Sequence, residues 1–403
     1  MHWPIYGLVA FGALLLAAPA FGASQKDVDD CSQVTDQERR IAGCTRVLND
    51  RDQRNRPVAY YNRGRAWYAK KDYDRAIADF TESIHLDSKY ALAYYFRGRV
   101  WDEKKNYDRA IADYDDAVRL DPKYAPAYFH RGVARYEKRE YDRAIADYSE
   151  AIRLDPKYAR AYHDRGYVWY LKFDYDRAIV DYDEAIRLNP KEGIYYNNRG
   201  SAWLGKGDYD RAIADSNEAI RRNPKLSAFY SNRGRAWNEK GDYDRAITDY
   251  TVAIGLEPNA ARYRSRGQGY FNMGDFNGAA VDLLRANDLA DDAYAMLWRY
   301  LARGRLGQDG SAELSANAAR LKNKNWPHAV IEFYLGRRSL EEMRAAANKP
   351  DEKCQAEFYA GQWQILRGNP AESRAALQIA ADTCRKLLIE YSGAVAELKR
   401  LRP

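Results

Sequence analysis

The stretch YDRAIADY runs from Tyr107 to Tyr114 and returns unchanged from Tyr141 to Tyr148. Near-copies begin at Tyr73, Tyr175, Tyr209 and Tyr243, so that all six starts fall 34 residues apart. A seventh, degenerate copy begins at Phe276 after 33, the missing residue falling where DPKYA (Asp121–Ala125) becomes EPNAA (Glu257–Ala261). A strict period of this length is the mark of a chain built by stacking one supersecondary unit.

Each unit contains two helical stretches. In the unit Ala91–Tyr124, Tyr94, Arg97, Gly98 and Trp101 fall on one helical face. Tyr107, Ala110, Ile111, Tyr114, Ala117 and Val118 do the same in the second half, after the polar turn DEKKN. Pro122, Pro156, Pro190, Pro224 and Pro258 stop the second helix, and the first unit has Ser88 instead. Gly98 and Ala110 recur as Gly132 and Ala144, and as Gly166 and Ala178, small side chains that let antiparallel helices approach.

The opening string is then the start of each second helix. Asp72, Asn106, Asp174, Asp208, Asp242 and Asp275 stand where a side chain caps the free N–H groups. Asp74, Asp108 and Asp142 follow in the first turn, where negative charge suits the helix dipole. Arg75 and Arg109 are expected to point to solvent.

This skeleton of aromatic, Gly, Ala, aromatic, Ala and Pro resembles the tetratricopeptide repeat (TPR) in order and spacing. The resemblance covers Pro57 to about Ala293 and implies an all-α fold: a right-handed superhelical solenoid of antiparallel helix hairpins with helical caps. It also implies that one face of the first helices forms a groove for peptides or proteins.

Two charged positions break the apolar stripes in all seven units. Arg63, Arg97, Arg131, Arg165, Arg199, Arg233 and Arg266 stand beside the Gly of the first helix. Asp79, Asp113, Asp147, Asp181, Asp215, Asp249 and Asp282 stand between the small residues of the second. A lone buried charge is strongly unfavourable, so a ladder of Arg–Asp pairs is expected, within repeats or between neighbours, setting packing register. Seven identical sites along a rod do not describe a catalytic centre.

The groove positions implied by the resemblance include Tyr61, Arg65, Tyr68, Tyr95, Arg99, Phe129, Tyr136, His163, Tyr167, Tyr170, Asn197 and Arg235. They vary between repeats while the packing positions do not, and they mix rings, Arg and polar groups as binding surfaces do. The Lys/Asn clamp that some family members use for acidic C-terminal peptides is not matched.

Other chemistry finds little support. Gly200–Gly207 imitates a phosphate loop but ends in Gly where Ser or Thr is needed, and lies in a repeat helix. The five His are scattered without metal-ligand spacing, and His130 and His163 read as helix-surface residues. No nucleophile motif occurs, so no enzyme activity, cofactor or metal is expected. A net charge of +7 without a block of five Lys/Arg gives no case for nucleic-acid binding.

The N-terminus has no Lys or Arg before Lys26, a short apolar core from Ile5, and Ala18-Pro19-Ala20. It reads as a secretory signal over residues 1–20, atypical in its uncharged start, or with the true start lying upstream. Export places the protein in a bacterial periplasm or outside the cell, with no membrane span left after cleavage. Cys31, Cys44, Cys354 and Cys384 would then meet oxidising conditions. Of three connectivities, Cys31–Cys44 and Cys354–Cys384 are preferred because each would staple one helical hairpin; four free thiols are the alternative.

Residues 24–56 are expected to cap the seven repeats at 57–293, and residues 294–403 to form a further helical, TPR-like region. There MLWRYLARGRLGQDG (Met296–Gly310) and WPHAVIEFYLG (Trp326–Gly336) look like the C-terminal part of exported bacterial TPR proteins, including the NlpI-type envelope adaptors. KLLIEYSGAVAELKRL (Lys386–Leu401) is expected to cover the last hydrophobic face. The reading as a whole is a non-catalytic scaffold or adaptor of the cell envelope that holds a peptide or partner protein. The alternative is a Tyr-rich groove that stacks on cell-wall saccharides. The oligomeric state is not legible.

Overall fold

The structure is a computed structural model that describes residues 24–50 and 54–402. The expected signal peptide lies outside the described residues. Among them there are 23 helices and no strand, arranged as consecutive hairpins. Two compact units are formed, one ending at Val168 and one starting at Trp169. They cut across the expected 57–293 repeat block, as stacked repeats allow, since each repeat contacts mainly its neighbours.

The first unit opens with α1 (Gln25–Ser32) and α2 (Gln37–Leu48). Hairpins α3 (Arg56–Ala69) and α4 (Tyr73–Leu86), α5 (Ala91–Glu103) and α6 (Tyr107–Leu120), and α7 (Ala125–Glu137) and α8 (Tyr141–Leu154) follow. The first residues of α9 (Ala159–Leu171) complete it. The second unit holds α10 (Tyr175–Leu188), α11 (Gly193–Lys206), α12 (Tyr209–Arg222), α13 (Ser227–Lys240) and α14 (Tyr243–Leu256). Next come α15 (Ala260–Met273), α16 (Phe276–Leu289), α17 (Ala293–Arg305), α18 (Ser311–Ala319), α19 (His328–Tyr334) and α20 (Leu340–Ala345). The chain ends in α21 (Pro350–Leu366), α22 (Pro370–Thr383) and α23 (Ile389–Arg400).

The helix starts follow from local chemistry. Asp72, Asn106, Asp174, Asp208, Asp242 and Asp275 each accept a hydrogen bond from a backbone N–H three residues on. Glu140, at the same place in the third repeat, makes no such bond. The hairpins close tightly enough to require glycine: a Cβ on Gly98 would lie 2.8 Å from the Tyr114 ring, and one on Gly64 2.9 Å from Phe80.

The Arg–Asp pairs lie within repeats and reach across to the neighbour as well. Arg97 Nε and Nη2 donate to the two Asp113 oxygens at 2.9 and 2.7 Å. Arg63–Asp79, Arg131–Asp147, Arg199–Asp215, Arg233–Asp249 and Arg266–Asp282 repeat this fork. The remaining nitrogen, Nη1, binds the second helix of the preceding hairpin, at Thr45, Thr81, Asp115, Asp183, Asn217 and Thr251. Arg165 reaches Ser149 in the first unit, and Asp181 is buried in the second. Burial pushes the Asp79, Asp113, Asp147 and Asp215 carboxyls up, and the facing guanidinium opposes this. One planar guanidinium thus bonds two successive hairpins at once.

The arginine after each opening aspartate is exposed, but it does not simply point to solvent. Arg75, Arg109, Arg177, Arg211 and Arg245 lie over Trp67, Trp101, Trp169, Trp203 and Trp237, with the guanidinium carbon 3.9 to 4.7 Å from the ring centroid. The flexible stem keeps its charge wet while its planar head covers the tryptophan.

Cys31 and Cys44 join α1 to α2, and Cys354 and Cys384 join α21 to the end of α22, each pair within bonding distance (2.07 and 2.13 Å). The core of the second unit gathers around Trp298, which stacks on Phe358 at 5.2 Å and meets Phe271 at 5.0 Å. The final helix α23 does not merely cover the end of the stack. It turns back and lies against α15, α21 and α22, with Gly393 against the rings of Trp298 and Phe358.

Candidate partner-binding face

In the first unit the predicted groove residues divide into a buried and a half-buried set. Tyr61, Tyr95, Phe129 and His163 are buried. Tyr61 packs edge-on to Tyr90 and Phe96 at 5.0 and 5.6 Å, Tyr95 on Tyr124 at 5.0 Å, and Phe129 on Tyr158 at 4.8 Å. These rings fill the seam between a repeat and the next one, so they support the face and offer little of it. The two histidines are not surface residues either. His163 sits with Nδ1 2.8 Å from Asp164 Oδ1, and His130 stacks near Tyr114 and Phe129, where burial drives its pKa well down.

Arg65, Tyr68, Arg99, Tyr136 and Tyr167 remain half-buried. Arg99 donates to the hydroxyls of Tyr95 and Tyr68 at 3.3 and 3.2 Å. The Tyr68 hydroxyl donates on to Glu103 Oε1 at 3.3 Å, and Tyr73 donates to Glu103 Oε2 at 3.5 Å. Burial raises the Tyr68 hydroxyl to about 12, so it stays a donor at neutral pH. Asp102 accepts from Tyr114, and burial raises its carboxyl to about 7. Tyr136 and Tyr167 meet edge to face at 5.9 Å. The result is a face of pre-ordered rings, a guanidinium and acids, suited to hydrogen-bonding a backbone while covering apolar side chains.

In the second unit Tyr170 lies 5.7 Å from Tyr175, and the equivalent positions further on are already occupied. Asn197 is buried and accepts from Asn232 Nδ2 at 2.8 Å. Arg235 donates to the carbonyl of Leu387, in the turn that leads into α23. Leu387 packs, as Trp203 and Trp237 do, against the cluster of Leu204, Ala212, Ile213 and Ala236; Lys386 sits over Gly207, and Tyr391 neighbours Tyr209. At the far end Arg400 donates to the Asn272 carbonyl at 2.8 Å, and Glu397 accepts from Arg305 at 2.7 Å. The chain's own C-terminal segment thus occupies Arg235, and the next repeat's Asn232 occupies Asn197. The segment's sequence carries no repeat period that would have announced this.

Docking this segment buries two carboxyls. Burial raises Glu239, which faces Arg235 and Ser392, to about 7. Glu390 rises to about 6, accepting from Gln355 Nε2 at 3.0 Å and the Tyr359 hydroxyl at 3.1 Å. Both folded values exceed the ordinary 4.5, so folding takes up protons between pH 4.5 and 7. That stabilisation is present at low pH and is lost as pH rises through 6 to 7. Between pH 5 and pH 8 the C-terminal region is expected to lose about 4 kcal/mol. Hydrogen exchange of α23 measured across this range checks it, and Glu239→Gln should flatten the profile.

The phosphate-loop imitation at Gly200–Gly207 lies in α11 and its cap, where its backbone is used by the helix. Among the described residues no group of three His, Cys, Asp or Glu is placed to hold a metal.

Comparison with known proteins bears on the repeat fold. The family model described as "Tetratricopeptide repeat" matches residues 51–91, 61–125, 174–227 and 197–261, and one described as "TPR repeat" matches 134–172. A curated protein of Haemophilus influenzae, "Lipoprotein NlpI homolog", is 29% identical over 150 residues, covering 34% of this chain. The match spans 48% of that protein's length. Among solved structures, a tetratricopeptide repeat protein from Parabacteroides merdae has a TM-score of 0.51 at 18% identity, covering 62% of this chain and 99% of its own. YrrB, described as a TPR protein with an unusual peptide-binding site, has a TM-score of 0.41 at 22% identity, covering 45% and 94%.

Proposed function

Because the chain belongs to the tetratricopeptide repeat family, whose helical hairpins form scaffolds for protein–protein interaction, we propose that it is a non-catalytic adaptor of the bacterial cell envelope. It holds a peptide segment of a partner protein against the half-buried face of the first unit. One observation carries this reading. In the second unit Arg235 is taken by the Leu387 carbonyl and Asn197 by Asn232, whereas Tyr68, Arg99, Tyr136 and Tyr167 stay half-buried and are ordered by their mutual contacts. Rings held in place lose little entropy when a partner covers them. The envelope location is supported by the signal-like N-terminus, by the two cysteine pairs and by the similarity to a protein named a lipoprotein. No described helix is long and apolar enough to cross a membrane.

The test is a photoreactive residue placed at Tyr68 or Tyr167, followed by cross-linking in envelope extract. A discrete protein adduct is expected. The double change Tyr136→Ala and Tyr167→Ala should weaken capture of that protein at least ~10-fold while the helical content is retained. Saturable binding of muropeptides with no protein adduct would replace the adaptor by a saccharide receptor.

A further inference from the structure

Arg40 lies on α2, ahead of the repeats, and is 3% exposed. Its Nη2 donates to Asn62 Oδ1 at 2.8 Å, while its Nε has no hydrogen-bond partner among the described residues. Asp27 and Asp30 of the neighbouring α1 are engaged by Arg39 and Arg46. The charge that Arg40 does face is a second cation, Arg65, whose guanidinium lies over Tyr61 and Phe96 at 5.6 and 4.9 Å. Burial, and then Arg65, lower Arg40 to about 10. The Tyr90 hydroxyl beside them is likewise buried without a partner.

This departs from how the chain treats its other buried guanidiniums. Arg63, one repeat face away, is forked onto Asp79, and the same solution recurs along the ladder. An unpaired buried cation costs several kcal/mol, and two facing each other cost more. Among the described residues no acid acts on Arg40, so an anion brought from outside would supply what the arrangement lacks. Two guanidiniums and a phenol are the donor set that recognises planar or tetrahedral oxyanions.

We infer that Arg40, Arg65 and Tyr90, with Asn62 orienting Arg40, form a receptor for one oxyanion at the first-repeat end of the half-buried face. The anion is a carboxylate of a bound peptide or a free phosphate. The peptide source rests on the proposed adaptor function; anion binding itself does not.

Thermal melting of the full chain tests this, with ionic strength held constant by potassium chloride. N-acetylglutamate and inorganic phosphate are the two probes. Either should raise the first-unit melting midpoint by about 3 °C at saturation. A larger response to N-acetylglutamate assigns the site to peptide carboxylates, and a larger response to phosphate assigns it to the free ion. Arg40→Met should raise the midpoint in chloride alone, because it removes an unpaired buried charge, and should abolish both responses. Arg65→Gln, at a half-buried position, should abolish them too and keeps the test valid if the Arg40 variant misfolds. No response in the unaltered protein, or an equal response in the variants, overturns the inference. Neither result depends on whether a protein partner is found.

Discussion

Removal of residues 385–403 is expected to unfold the C-terminal core and open the face of α11, α13 and α15. The segment carries Ala394 and Ala396 into the core and packs Leu388, Ile389, Tyr391 and Leu398 against it. At roughly 1.5 kcal/mol or more for each large side chain, the loss is about 5 kcal/mol or more. It also strips Arg235 of its carbonyl partner on Leu387 and leaves Arg305 without Glu397. The melting transition of the second unit should fall by ten degrees or more, on the order expected for such a loss, and an apolar dye should bind. The first unit should melt as before. Gly393→Leu is the gentler version. An ideal Cβ there lies 2.7 Å from the Trp298 ring and 2.8 Å from Phe358, so the helix must lift away with the chain intact. If α23 keeps its amide protection in that variant, the docking described above is not what holds this region together.

Replacing Asp113 by alanine is expected to cost about 3 kcal/mol, near the low end for a broken buried pair because the Arg97 side chain is 20% exposed. The loss should not stay within one repeat. Arg97 also binds Thr81 of the preceding repeat, so its release loosens that interface too. The double change Arg97→Met and Asp113→Leu should recover most of the stability, since an apolar pair removes the unpaired charge. Chemical denaturation of the three variants, with hydrogen exchange of α4 and α6, separates these outcomes. Equal destabilisation of single and double variants would show that the ladder contributes net stability as well as register.

The helix starts with their caps and the spacing of Arg and Asp were legible in the string around Tyr107, because each depends on neighbours fixed by a 34-residue period. The two cysteine pairs were preferred for a similar local reason: antiparallel helices bring their ends together. The binding face was less legible. Position alone put Tyr61, Tyr95 and Phe129 in a groove, yet Phe129 is 0% exposed, because the following repeat's tyrosine closes over it. Arg40 gave no signal at all, since it lies outside the period and its isolation is a matter of which acids its neighbours have already taken.

The sequence by itself thus determined the α-hairpin architecture and the chemistry that sets its register, both being properties of residues 3, 4, 16 or 34 apart. Tertiary structure alone decided where the open surface lies. Arg235 meets Leu387 across 152 residues, and no period relates the two. Such a contact depends on where a non-repeating segment comes to rest, which is settled by the burial of α23 against the Trp298 core and not by any local preference.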